Sequence, residues 1–133
     1  MTEKELLNKY LGIKYKHQGR SKEEGLDCWG FIKLVYGDLG FSLWDINADY
    51  DEHWSWEGRN YFLENYAKEW IKVKRPDLFD LVLFHNRRNI PNHIGVLLSN
   101  YRFIHCSKQG VIVSSVFSWK DKLFAFYRLK ARK

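Results

Sequence analysis

Disulfides have little to work with in this chain, which holds only two cysteines, Cys28 and Cys106. One bridge at most could form, so a disulfide framework is excluded and free thiols are expected. Long apolar runs are missing too: nothing approaches the roughly 20 residues needed to cross a bilayer. The opening segment MTEKELLNKY is charged and amphipathic, without a basic head followed by an apolar stretch, so we expect no secretion signal or anchor. There is no repeat, low-complexity tract or linker, and neither a CxxC nor an HxxxH pair.

What is present can fold alone. Of 133 residues 45% are hydrophobic and 17% aromatic, enough for a core without metals or bridges, which argues for one domain over residues 1–133 and against disorder. The formal net charge of +6 favours polyanions, either nucleic acid or the teichoic acids and carboxylates of a bacterial wall. Part of the excess sits in the tail, where Arg128, Lys130, Arg132 and Lys133 read as a solvated terminus.

The pattern changes along the chain from helical to strand-like. Thr2, with Glu5 three residues on, caps a short helix over 2–11, and residues 13–26 read as a polar loop. From Asp27 the apolar residues Phe31, Ile32, Leu34, Val35 and Leu39 recur at helical spacing up to Gly40. Residues 41–58, with Trp44, Trp54 and Trp56, have no period, whereas 59–70 look helical through Tyr61, Phe62, Tyr66 and Trp70. Five strands follow, at 80–84, 93–98, 102–106, 110–116 and 123–129. Helices first and strands after predict an α+β domain with N-terminal helices packed on a C-terminal antiparallel sheet of about five strands.

Cys28 falls at the predicted start of the second helix, where unpaired N–H groups and the dipole stabilise a thiolate. The plain alternative is a small buried residue in a first turn. A reactive thiol needs an imidazole, and the imidazole needs a third polar group to hold its ring. His17 and His53 lie in irregular segments, and His85 ends a strand at the surface. His93 and His105 lie on successive strands. If Ser99, Asn100 and Tyr101 make a three-residue turn, Leu98 faces Arg102, Gly95 faces His105, and His93 lies diagonal to His105 on one face. A two-residue turn would separate them. The same alternation sends His105 and Cys106 to opposite faces, which argues against a zinc site built from Cys28, His93, His105 and Cys106 and leaves Cys106 as a small core residue.

Taken together, YKHQG at 15–19, GLDCWGFIKLVYGDLG, DLFDLVLF and NHIGVLLSNYRFIHCSKQGVIVSS resemble the NlpC family of cell-wall cysteine peptidases, a compact branch of the papain-like fold. The likeness runs from about residue 6 to the last strand. It implies Cys28 as nucleophile, His93 as general base and His105 as the orienting residue. Tyr15 and Asp27 would help bind the peptide, and the Cys28 N–H, with Tyr15 assisting, would hold the oxyanion. No cofactor or metal is implied, and the partner would be a peptidoglycan peptide and not nucleic acid. Most members carry serine after the cysteine; Trp29 stands there in this chain, at a substrate-facing position, so serine-dependent contacts do not transfer. DCWG, the tryptophan-bearing middle and LFAFYRL look like the branch found in phage and prophage tail modules, which would put the protein in a phage tail, among tail proteins, or at the cell envelope. Two other uses of such a domain stay open at this point: a non-enzymatic tail component, and a thiol acyltransferase or amidase acting elsewhere.

Overall fold

Helix α1 (Glu3–Tyr10) begins where the sequence places its cap. The Thr2 hydroxyl accepts from the Glu5 N–H and the Glu5 carboxylate accepts from the Thr2 N–H, so two of the free donors at the helix start are satisfied reciprocally. Leu6 and Tyr10, one helical turn apart, are its buried face. The computed structural model describes residues 1–43, 67–85 and 91–132. Trp44, His53, Trp54, Trp56 and most of the helix expected over 59–70 lie outside the described residues.

The polar loop expected at 13–26 carries a two-stranded ribbon, β1 (Arg20–Ser21) and β2 (Gly25–Leu26), and leads into helix α2 (Cys28–Asp38). Asp27 is the cap of α2, and Phe31, Ile32, Val35 and Tyr36 are buried beneath it. Leu6, Tyr10 and these residues pack with Leu81, Leu83, Ile94, Val96 and Ile104 of the sheet in the main core.

That sheet has six strands and not five: β3 (Trp70–Val73), β4 (Leu81–His85), β5 (Pro91–Leu97), β6 (Arg102–Ser107), β7 (Gly110–Ser115) and β8 (Leu123–Leu129). They run β3-β8-β4-β5-β6-β7, every pair antiparallel. The extra strand begins at Trp70, the last residue of the segment expected to be helical. Residues 67–69 form one 3-10 turn, after which Trp70 pairs with Leu129 and seats its ring against Tyr36 at 5.2 Å. WIKV suits an edge strand by composition, and the backbone of β8 gives it a partner that helical periodicity does not reveal.

Alternation divides the sheet between two cores. Ile94, Val96, Ile104 and Cys106 face the helices, while Val82, Phe84, Leu97 and Phe103 face the other way and meet Val116 and Trp119. The tail is solvated only in part: Lys130 is exposed, whereas Arg128 and Arg132 turn inward. Asp80, fully buried, accepts from Arg128 at 2.7 Å and from Arg132 at 2.9 Å, so two of the four basic residues there neutralise an internal carboxylate.

Candidate active site

Asp27 organises the entrance to α2. One carboxylate oxygen accepts from the Gly30 N–H and from Arg20 Nη1, both at 2.9 Å, and the other accepts from the Gln18 N–H at 3.0 Å. Arg20 also donates to the Gly19 carbonyl, so the loop carrying Tyr15 is drawn down onto the helix start. The approach requires glycine at position 30, where a Cβ would stand 2.1 Å from the Gly19 carbonyl oxygen. The Gly of DCWG is thereby explained on steric grounds.

Cys28 is half-buried in the first turn and lines a small cavity of about 110 Å³ together with Tyr15, Asp27, Trp29 and His93. Asp27 is 4% exposed and Trp29 1%, so both form the inner wall of this cavity and no open surface. The surroundings of Cys28 oppose the acidified thiol that the helix start suggests. Burial pushes the Cys28 thiol well above its ordinary value and the Asp27 carboxylate adds to this, while Arg20 and the Trp29 N–H pull the other way. At rest the sulfur keeps its proton. The helix start helps the anion, but desolvation wins.

The two histidines meet as the register predicts. Val96 pairs with Ile104 and Leu97 with Phe103, and the Leu98 N–H reaches the Arg102 carbonyl at 2.7 Å across a turn formed by Ser99–Tyr101. Asn100 takes the left-handed conformation the turn needs (φ 59°). A Cβ on Gly95 would lie 2.6 Å from the Phe103 ring and 3.3 Å from the His105 Cβ, so only glycine leaves room beside the imidazole.

His93 Nε2 lies 2.6 Å from His105 Nδ1, and His105 Nε2 lies 2.9 Å from Ser114 Oγ. Desolvation lowers His93 to about 4, and burial plus the neighbouring ring lowers His105 to about 3, so both are neutral near pH 7. Each neutral ring carries one proton, and because a serine hydroxyl can donate or accept, the contacts admit two tautomer assignments. With Ser114 accepting from His105 Nε2–H, His105 Nδ1 is an acceptor, His93 must carry its proton on Nε2, and His93 Nδ1 keeps a free lone pair. Trp119 holds the pair from outside, stacked on His93 at 5.7 Å and edge-on to His105 at 5.3 Å.

Ser114, Trp119 and Arg20 were not singled out from the sequence. Ser114 could have been found by counting: His105 pairs with Ile112, so Ser114, two residues on, shares its face. Trp119 sits in the 3-10 turn Phe117–Lys122, which has no period to read. Cys106 points away from His105, is 2% exposed, and donates to the Leu26 carbonyl; burial pushes its thiol up to about 12. Among the described residues no three His, Cys, Asp or Glu side chains are gathered to hold a metal ion.

Two helices leading into a six-stranded antiparallel sheet, with a cysteine at a helix start beside strand-borne histidines, give the papain-like, NlpC-type α+β architecture. The model of the NlpC/P60 family matches residues 12–128, and the chain belongs to that family. A Haemophilus influenzae protein named "Probable endopeptidase NlpC homolog" is 32% identical over 113 residues, 82% of this chain and 50% of that protein. "Probable peptidoglycan endopeptidase LytE" of Bacillus subtilis is 28% identical over 114 residues, 84% of this chain and 29% of its own. The chain thus spans half or less of these relatives. Among solved structures, a Staphylococcus aureus protein of the NLP/P60 family superposes with a TM-score of 0.67 at 24% identity, covering 95% of this chain and 39% of that one. The NlpC/p60 domain of the peptidoglycan hydrolase SagA gives 0.59 at 22%, covering 95% and 93%. At these identities the structures speak for the fold.

Proposed function

We propose that this domain is a cysteine peptidase that cuts amide bonds in peptidoglycan stem peptides, next to D-γ-glutamyl and diaminopimelate or lysine. The observation that carries the reading is the relay His93–His105–Ser114, with contacts at 2.6 and 2.9 Å, beside the cavity that His93 shares with Cys28; with Ser114 accepting from His105, His93 Nδ1 is the base. The Cys28 proton passes to His93 Nδ1 as the sulfur attacks the scissile carbonyl carbon. The oxygen takes the negative charge beside the Cys28 N–H at the helix start, with Tyr15 at the cavity wall. Imidazolium His93 then protonates the departing amine, leaving a thioester on Cys28. Water, deprotonated by His93, attacks the thioester, and the acid and the thiol are released. His105 holds the ring and stabilises its charged form, and Asp27 and Trp29 shape the inner wall.

Family membership and the named relatives support the substrate class. The test is digestion of purified peptidoglycan by wild type and Cys28→Ala, with released fragments identified by mass. New amino termini on diaminopimelate or lysine in the wild-type digest alone are expected; cleavage that persists in Cys28→Ala would remove Cys28 from the mechanism. A phage-tail or envelope location with tail-protein partners is the companion proposal, supported by the DCWG variant. Mass spectrometry of purified phage particles checks it.

A further inference from the structure

Cys106 is the second thiol of the chain, and the proposed chemistry gives it nothing to do. It is 2% exposed, yet it borders the same cavity of about 110 Å³ as Cys28. The two reach it from different elements: Cys28 from the first turn of α2, and Cys106 from β6, a strand against which α2 packs. Cys106 Sγ donates to the Leu26 carbonyl at 2.9 Å, which anchors it to the backbone two residues ahead of Cys28. Negative charge on Cys106 is felt at Cys28 and opposes its ionisation.

The two thiols differ in their access to an oxidant. Cys28 is half-buried, and by handing its proton to His93 it becomes a thiolate, the form that peroxides oxidise. Cys106 is enclosed, and burial with the Asp27 carboxylate pushes its thiol up to about 12, so Cys28 reacts first. The cavity between them has room for a few water-sized molecules, enough for hydrogen peroxide.

We infer that Cys106 is the resolving partner of Cys28: a hydroperoxide oxidises Cys28, and Cys106 closes the product into a Cys28–Cys106 disulfide that switches the site off reversibly. In the first step the Cys28 sulfur attacks a peroxide oxygen, the O–O bond breaks and the sulfenic acid Cys28–SOH forms. The departing oxygen collects the thiol proton from His93 and leaves as water or an alcohol, so sulfur loses the two electrons that the peroxide gains. In the second step Cys106 Sγ gives up the Leu26 carbonyl and attacks Cys28 Sγ. The S–S bond forms as the S–O bond breaks, and the hydroxyl departs with the Cys106 proton as water. A dithiol returns both cysteines to thiols and itself ends as a disulfide. Without Cys106 the sulfenic acid takes up more oxygen and becomes a sulfinic or sulfonic acid, which a dithiol does not reverse. The pairing stands apart from the peptidase reading, because it is detected by mass and not by peptide cleavage.

In the test, reduced protein at micromolar concentration is treated with hydrogen peroxide at pH 7 and quenched, and its remaining thiols are capped with N-ethylmaleimide in denaturant. Intact mass of wild type is expected to show the loss of two hydrogens with neither thiol capped, and tryptic mapping a peptide joining Cys28 to Cys106. Dithiothreitol is expected to return both thiols and the reactivity of Cys28 toward iodoacetamide. Cys106→Ala is expected to gain two or three oxygens at Cys28 instead, a product that dithiothreitol leaves unchanged. If Cys106→Ala does not fold, the wild-type peptide map decides alone. Wild type that takes up oxygen at Cys28 without forming the linked peptide, that joins two chains through Cys28, or that keeps both thiols through the treatment overturns the pairing. A protein inactive on peptidoglycan still yields or lacks the linked peptide, so the two failures are distinguishable.

Discussion

The proton at Cys28 has one outlet. Burial disfavours both the Cys28 thiolate and protonated His93, so in the proposed mechanism the nucleophile forms by proton transfer between them. Replacing His93 by Ala should lower turnover on the order of 10²–10⁴-fold and should also slow alkylation of Cys28 by iodoacetamide at pH 7. Cys106, buried in the main core, should stay unlabelled in both proteins until denaturant is added. Burial holding His93 at about 4 means that kcat/KM should stay flat from neutral pH down to that region. An acid limb near the ordinary histidine value of 6.5 would show that water reaches the ring in the working enzyme. Ser114 acts through His105 as a positioning residue. Ser114→Ala should cost roughly three- to tenfold in kcat with KM little changed, about the worth of one neutral hydrogen bond, and Ser114→Thr should restore most of it. Equal rates for Ser114→Ala and wild type would mean that the tautomer is set by something else.

Secondary-structure elements matter here mainly through their ends. Helix α2 contributes its first turn, and the fit of that turn depends on Gly30 meeting Gly19. Gly30→Ala would press a methyl group onto the Gly19 carbonyl, and overpacking of this kind costs roughly 1–3 kcal/mol; thermal unfolding should show the loss, together with reduced Cys28 reactivity as the loop of Tyr15 is displaced. The cap of α1 is a control far from the chemistry: Thr2→Ala should cost about 1 kcal/mol and leave turnover alone. Strand ends supply the rest, since His93 lies near the start of β5, Ser107 ends β6, and the Phe117–Lys122 turn brings Trp119 to the same rim. The register that unites His93 and His105 was legible because side chains alternate and the turn between their strands has three residues. Trp119 was not, because it reaches the histidines from a turn whose position is set by β7 and β8 together.

At the scale of the whole molecule, pH acts on stability through the buried histidine. His105 is fully buried and held at about 3, so between that value and the ordinary 6.5 the unfolded chain binds a proton that the folded chain does not. Stability therefore rises with pH across this window and falls as the pH drops through it, at up to about 1.4 kcal/mol per unit. Urea midpoints at pH 7 and pH 4 should differ accordingly, and His105→Asn should reduce the difference, the remainder coming from His93, held at about 4. Asp80 ties β4 to the chain's end, where Arg128 of β8 and Arg132 beyond it converge on one buried carboxylate. Asp80→Ala leaves Arg128 with Asp77 and Arg132 with the Leu78 carbonyl but removes the buried carboxylate they share, and should cost about 3 kcal/mol. Deleting residues from 128 onward should destabilise through the same contacts.

What the sequence determined by itself was local and periodic. Caps, the 3.6-residue and two-residue repeats, and the spacing of His93 and His105 follow from backbone geometry, so α1, α2, five of the six strands of the main sheet and the histidine register are legible in the sequence. Tertiary structure alone decided the protonation of Cys28, since desolvation depends on everything packed around the thiol and here outweighs the helix start that the sequence displays. It also decided that Trp70 is a strand residue, because the partner that pairs with it lies 59 positions away at Leu129. The direction in which a side chain points is written in its neighbours along the chain; the dielectric it points into is set by residues distant in sequence.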